Sequence, residues 1–148
     1  MGDEELQKTS LFLSTILSQI TSSLGPGLRA SIVFIMARIL SISYEPVLLS
    51  TREMLLRQMG HEVVSAEGFA RAYQACEVER GGFDLIVLGH SIPHDDKREI
   101  IKRCIPACSC PLLVLLRLNE PPVEGAFRSI DSAEPEAFVS AIHEILQS

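Results

Sequence analysis

From Met36 onward the sequence predicts a doubly wound α/β domain built on a five-stranded parallel sheet. Three observations lead there. Phe83-Asp84-Leu85-Ile86-Val87-Leu88-Gly89 is a short, almost wholly apolar run opened by an aspartate, the pattern of a strand buried on both sheet faces. Apolar runs of strand length alternate with helix-period patterns through to the C-terminus, which implies a parallel sheet with right-handed crossovers. Breaks fall where such elements should change, at Glu45-Pro46, Gly60 and Gly81-Gly82. Together these give the flavodoxin-like class, whose ligands lie outside the carboxyl ends of the strands.

Taken in order, residues 1–24 carry Leu13, Ile16, Leu17, Ile20 and Leu24 at helical spacing, before Gly25-Pro26-Gly27 ends the pattern. Residues 1–35 are therefore an N-terminal extension, and residues 36–148 the domain proper. Arg38 to Ser43 reads as the first strand. Pro46 opens a helix with Leu48, Leu55 and Met59 on one face, stopped by Gly60. His61 to Ala66 is a second strand, followed by a helix with Phe69, Ala72, Tyr73 and Cys76 inward. Asp84 to Leu88 is the central strand, with a loop through Pro93 to Asp96. Lys97 to Cys104 reads as a short helix with Ile100, Ile101 and Cys104 on its apolar side. Leu112 to Leu116 and Ala126 to Ile130 are the fourth and fifth strands. A last helix enters near Pro135, with Phe138, Ile142, Ile145 and Leu146 as its stripe.

Composition bounds the class. The chain has 148 residues, 47% of them hydrophobic, and a net charge of −6. That length fits one domain, and the charge argues against nucleic-acid binding, which needs clustered Lys and Arg. Asp3, Glu4 and Glu5 are the wrong charge for a signal peptide, and the apolar run Ile32 to Ile42 is too short to span a bilayer. Four cysteines without a secretory signal suggest reduced thiols and a cytoplasmic location.

Several residues now point to a family. Glu45-Pro46 follows the first strand, Gly60-His61-Glu62-Val63 opens the second, and Pro93 and Asp96 follow the third. In these features the chain from Met36 to the C-terminus resembles the CheY-like receiver domain of bacterial response regulators. Met36 also lies where a receiver's start codon usually falls, so residues 1–35 are either an appendage or a start-site artefact. The resemblance implies phosphorylation of one aspartate in a site of five chemical positions, and this chain departs at all five. Ser43 and Tyr44 stand where the acidic pair belongs, Gly89 in place of the acceptor aspartate, Leu116 in place of threonine or serine, and Asp131 in place of lysine. A second departure is architectural. The family places a helix between the fourth and fifth strands, but only Arg117 to Gly125 is available here, with Pro121-Pro122 inside it. The helix is expected to be lost, and the fifth strand displaced or differently paired, since a parallel crossover needs length.

Phosphoryl transfer to aspartate needs a carboxylate nucleophile, oxygen ligands for Mg²⁺ and a cation for the phosphoryl oxygens. Gly89 cannot attack, Ser43 and Tyr44 offer no anionic metal ligands, and Asp131 would repel a phosphate. Asp84, at the wrong strand end, and Asp95 and Asp96, on the following loop, are the substitutes to weigh as acceptors. Cys104, Cys108 and Cys110 offer a second chemistry, a thiol-based metal or redox sensor, although their spacing matches no paired knuckle. On the plainer view Cys104 is core and the other two are small loop residues. His90 and His94 flank the turn after the third strand, where they can sense pH or hold a partner. His61 and His143 have no nucleophile nearby.

The sequence thus suggests a non-catalytic pseudo-receiver that signals through protein contacts, with no cofactor and no enzymatic activity. Its expected partner is a histidine kinase, an output protein or a second copy of itself. The alternatives are the thiol sensor and a phosphorelay regulator with an atypical acceptor.

Overall fold

The computed structural model describes residues 36–79, 82–131 and 134–147. The stripe expected in residues 1–24 lies outside them, as do Gly81 and Ser132. The described elements are β1 (Arg38–Ser43), α1 (Pro46–Gln58), β2 (Glu62–Glu67), α2 (Gly68–Val78) and β3 (Leu85–Leu88). They continue with α3 (His94–Cys108), β4 (Leu112–Leu116), β5 (Arg128–Asp131) and α4 (Pro135–Gln147). The sheet order is β2-β1-β3-β4-β5, and every pairing is parallel.

Successive strand residues point to opposite faces, so a strand covered on both sides must be apolar throughout. β3 meets that demand: Leu85, Ile86, Val87 and Leu88 all have no exposed surface. On one face Ile39, Leu85, Val87, Leu113 and Leu115 pack with Leu55 and Leu56 of α1 and Phe138, Ile142 and Ile145 of α4. On the other, Leu40, Ile42, Ile86, Leu88 and Val114 pack with Ala72 and Cys76 of α2 and Ile100 and Cys104 of α3. Each fully buried Leu or Ile contributes about 1.5–3 kcal/mol, so these two layers supply the main driving force. At the amino edge the Asp84 carboxylate accepts the Arg38 amide at 2.8 Å, and His61 Nδ1 accepts that of Ala37 at 3.2 Å.

The helices differ in detail from their sequence patterns. α1 turns Leu49, Arg52, Leu55 and Leu56 inward, leaving Leu48 and Met59 half-buried, because its phase is set by Pro46 at the first turn. α2 buries only Ala72 and Cys76, and Tyr73 is 38% exposed. α3 is longer than expected at both ends. The Lys97 amide donates to Pro93 O at 2.9 Å, which closes a first turn where Asp95 and Asp96 favour the positive end of the helix dipole. At its other end the helix runs through Pro106 to Cys108, since a proline there removes a single backbone donor from the last turn.

The helix between β4 and β5 is absent, as expected. β5 is nevertheless in place: it spans Arg128–Asp131, two residues later than predicted, and pairs with β4 in regular parallel register. The crossover is made by a loop that turns at Asn119 (φ 64°) and again at Gly125 (φ 93°). Between these turns Val123 enters the second core layer at 4% exposure, filling part of the space that a helix would cover. Gly125 is needed for both its φ and its closeness to α3, because a Cβ there would stand 2.8 Å from Ile101 Cγ2.

Cys108, read from sequence as a loop residue, closes α3 with 2% exposure, whereas Cys110 is half-buried beyond it. Cys108→Ser puts a hydroxyl into an apolar layer and should cost about 1–3 kcal/mol. Cys110→Ser should cost less than about 1 kcal/mol. Urea denaturation of both variants checks the ordering; equal losses would contradict the packing described.

Candidate functional site

Parallel strands bring their carboxyl ends to one edge of the sheet. Ser43 ends β1, Gly89 follows β3, Leu116 ends β4 and Asp131 ends β5, where Leu116 and Asp131 are register partners. The Gly89 amide donates to Ile42 O at 2.9 Å, which ties the first two ends together. Ser43 is fully buried; its hydroxyl accepts the Glu45 amide at 3.1 Å and lies 3.0 Å from Ser91 Oγ. Tyr44 turns toward α3, where its hydroxyl donates to Asp96 Oδ2 at 3.0 Å. Burial and the Asp96 carboxylate push that phenol up to about 12. Leu116 is half-buried against the second core layer, and Asp131 is exposed. Of the other carboxylates weighed as acceptors, Asp84 lies at the opposite edge, while Asp95 and Asp96 lie in the first turn of α3 rather than on a loop.

The centre of this edge is occupied by a residue that sequence reasoning passed over. Arg52 of α1, 8% exposed, lays its guanidinium across Gly89. A Cβ on Gly89 would stand 2.5 Å from Arg52 Nη1 and 3.1 Å from Ile42 O. Nη2 lies 3.0 Å from His90 Nδ1 and donates to it, so the imidazole is neutral and carries its proton on Nε2. Among the described residues, the buried Nη1 has no hydrogen-bond partner. Burial pulls the guanidinium down to about 10, with the Glu45 charge opposing, and it stays ionised at neutral pH. His90 is pushed below its ordinary value by burial, and then by the positive charges of Arg52, Lys97 and Arg117, which outweigh Glu45.

A second overlooked cation holds the crossover loop. Lys97 has no exposed surface; its Nζ donates to Leu115 O at 2.9 Å and to Glu120 Oε1 at 2.7 Å. Glu120 also accepts the Arg117 amide at 2.9 Å and faces His94 Nδ1 at 2.9 Å. Burial alone would raise the Glu120 carboxyl, but the Arg117 amide, Lys97 and His94 hold it down at about 2. Burial lowers Lys97, against the pull of Glu120. Arg117 in turn donates to His90 O at 2.8 Å and Ser91 O at 2.6 Å. A spacing signal for both cations was there to read. Arg52 falls on the stripe Leu49, Leu55, Leu56, and Lys97 on the stripe Ile100, Ile101, Cys104.

The sheet order, the two helical layers and the edge geometry can now be compared with known proteins. The fold is that of CheY-like receiver domains. A CheY-like receiver domain protein from Methanospirillum hungatei JF-1 superposes with a TM-score of 0.65 at 19% identity, over 76% of this chain and 95% of that one. Chemotaxis protein CheY4 of Vibrio cholerae gives 0.63 at 20% identity, over 75% and 99%. An adenylate cyclase from Rhodopirellula baltica gives 0.63 at 19% identity, over 76% and 89%. At such identities the likeness is one of fold. No protein-family model matches the sequence, and a search of curated proteins finds no relative.

Among the described residues no group of three or more His, Cys, Asp or Glu side chains is placed to hold a metal ion. The structure turns Cys104 and Cys108 toward Cys76 of α2 in the second core layer, and leaves Cys110 at its margin. Among the described residues, no helix is long and apolar enough to cross a membrane.

Lys97→Met takes the ammonium from Glu120 and from Leu115 O, leaving Glu120 only the Arg117 amide and His94, so it should destabilise by about 1–3 kcal/mol. Lys97→Met combined with Glu120→Leu should recover most of that loss. The Glu120 carboxyl is held below its unfolded value, so the unfolded state binds the extra proton, and stability falls as pH drops from about 4.5 toward 2. Thermal melts across that range should show this acid limb in the wild type and its reduction in the double variant. An unchanged limb would sink the assignment.

Proposed function

We propose that this chain is a pseudo-receiver, acting in signal transduction through protein contacts and without aspartyl phosphorylation. The observation that carries the reading is the guanidinium of Arg52 lying across Gly89. Phosphoryl transfer to aspartate requires a carboxylate nucleophile beside Mg²⁺ held by anionic oxygens. Gly89 has no side chain, Ser43 is engaged with Ser91, and Tyr44 is engaged with Asp96. A fixed positive charge at the same spot repels a divalent cation.

The expected partner is a histidine kinase, an output protein or a second copy, in the cytoplasm, with no catalytic role for the chain. In the test, the protein is incubated with acetyl phosphate and Mg²⁺ and its intact mass is read. No phosphoryl adduct should form on the wild type. None should form on Gly89→Asp either, because the new carboxylate would face Ser43 and Tyr44, which supply no anionic oxygens for Mg²⁺. An adduct on either protein would overturn the pseudo-receiver reading.

In this reading residues 36–148 are the receiver-like unit and residues 1–35 an appendage. A shortened protein beginning at Met36 should unfold cooperatively, with a melting temperature close to that of the full chain. Aggregation or a broad transition would show instead that the first 35 residues belong to the core.

A further inference from the structure

We infer that the cleft between Tyr44, the first turn of α2 and the side of α3 receives an arginine side chain of a partner protein. This deepens the pseudo-receiver reading and rests on it, since a chain that signals through contacts needs a place of contact. The cleft has a volume of about 240 Å³ and is lined by Tyr44, Phe69, Asp96, Glu99 and Arg103. Sites for drug-sized ligands run to about 300–1,000 Å³, so this one is of side-chain size.

Its walls come from three places in the chain. Asp96, Glu99 and Arg103 stand at i, i+3 and i+7 along α3, so one face of that helix presents all three. Phe69, in the first turn of α2, and Tyr44, just after β1, add aromatic walls that pack on the second core layer. The Tyr44 ring is held in place because its hydroxyl donates to Asp96 Oδ2 at 3.0 Å. That bond uses one carboxylate oxygen. Among the described residues, the other has no ion-pair or hydrogen-bond partner.

The chemistry of this lining selects a guanidinium. Two carboxylates face one cation, which leaves a negative charge uncompensated in the cleft. Two rings offer their π faces, and an arginine stacks on a ring while its N–H groups reach a carboxylate beside it. The chain already makes this arrangement once for itself. The Arg103 guanidinium lies 5.5 Å from the centre of the Phe69 ring, and its Nε stands 3.8 Å from Glu99 Oε2. Both side chains of that ion pair are more than half exposed, so it is weak and yields to a competitor. Tyr44 and Asp96 repeat the combination of ring and carboxylate, and among the described residues no cation is paired with them. A net charge of −6 also draws a basic surface toward the chain over distance.

The test titrates N-acetylarginine amide, which presents the guanidinium as a peptide does, into the full chain at constant ionic strength. Its neutral analogue, N-acetylcitrulline amide, is the control. The chain has two tyrosines and no tryptophan, so in Tyr73→Phe the tyrosine fluorescence and ring resonances belong to Tyr44. The expected result is a saturable change at Tyr44 with the arginine compound, in the millimolar range for one headgroup, and none with the control. Asp96→Asn, which keeps an acceptor for Tyr44 but loses the charge, should weaken that affinity about tenfold. Arg103→Gln, which removes the resident cation from an exposed position, should strengthen it about threefold. Tighter binding of free arginine or of tetramethylammonium would point to a small-molecule site and overturn the partner assignment. No saturable change, an equal response to the control, or an affinity lowered by Arg103→Gln would overturn the inference and leave the pseudo-receiver reading intact. A phosphoryl adduct formed from acetyl phosphate would instead overturn that reading.

Discussion

The buried ammonium of Lys97 is the interaction on which the unusual half of this structure depends. Parallel strands need a crossover, and most proteins use a helix for it. Here the chain returns from β4 to β5 through two prolines and two positive-φ turns. Such a loop has few backbone hydrogen bonds of its own. Lys97 supplies what is missing by holding the Leu115 carbonyl at the end of β4 and the Glu120 carboxylate on the loop. Val123 then drops into the gap and keeps the second core layer dry. Removing water from both ions is expensive and offsets much of their attraction, so what the pair supplies is geometry, a fixed distance between α3, the end of β4 and the loop.

Arg52 shows the same economy on the other side of the edge. A long cationic side chain on the inward face of a helix must carry its charge somewhere, and the glycine at the end of β3 leaves it a seat. The two residues are complementary: Gly89 gives room for the guanidinium, and the guanidinium fills what would otherwise be a void beside Ile42 O. The carboxyl edge therefore carries fixed positive charge in a chain whose net charge is −6.

The inner strands were legible in the sequence because burial on both faces leaves no choice but apolar residues, as Leu85 to Leu88 demonstrate, whereas the regular pairing of the half-exposed β5 was not. The loss of the fourth crossover helix was legible too, from Pro121-Pro122. Element ends were less so. α3 begins three residues early because Pro93, Asp95 and Asp96 build a good first turn, which from sequence alone reads equally well as loop. The carboxyl edge was the hardest part. The departures from the receiver pattern at Ser43, Tyr44, Gly89, Leu116 and Asp131 say what is missing, not what has come in. Arg52 and Lys97 look like solvated charges until their inward phase is counted against Leu49, Leu55, Ile100 and Cys104. Glu120 lies on an irregular loop, where no periodicity exists to reveal a contact with α3.

The two cationic centres are joined by Arg117. Its backbone amide bonds Glu120, which holds Lys97 and faces His94, while its guanidinium bonds the carbonyls of His90 and Ser91. Those two residues stand at the same edge, His90 bonded to Arg52 and Ser91 to Ser43. The loop that replaces a helix and the loop after β3 are therefore one hydrogen-bonded unit, braced on rigid strand ends. Displacing Glu120 pulls on Arg117, and displacing Arg117 releases the carbonyls that set the positions of His90 and Ser91. The crossover loop and the strand ends are thereby held in one geometry by three side chains, Arg117, Glu120 and Lys97.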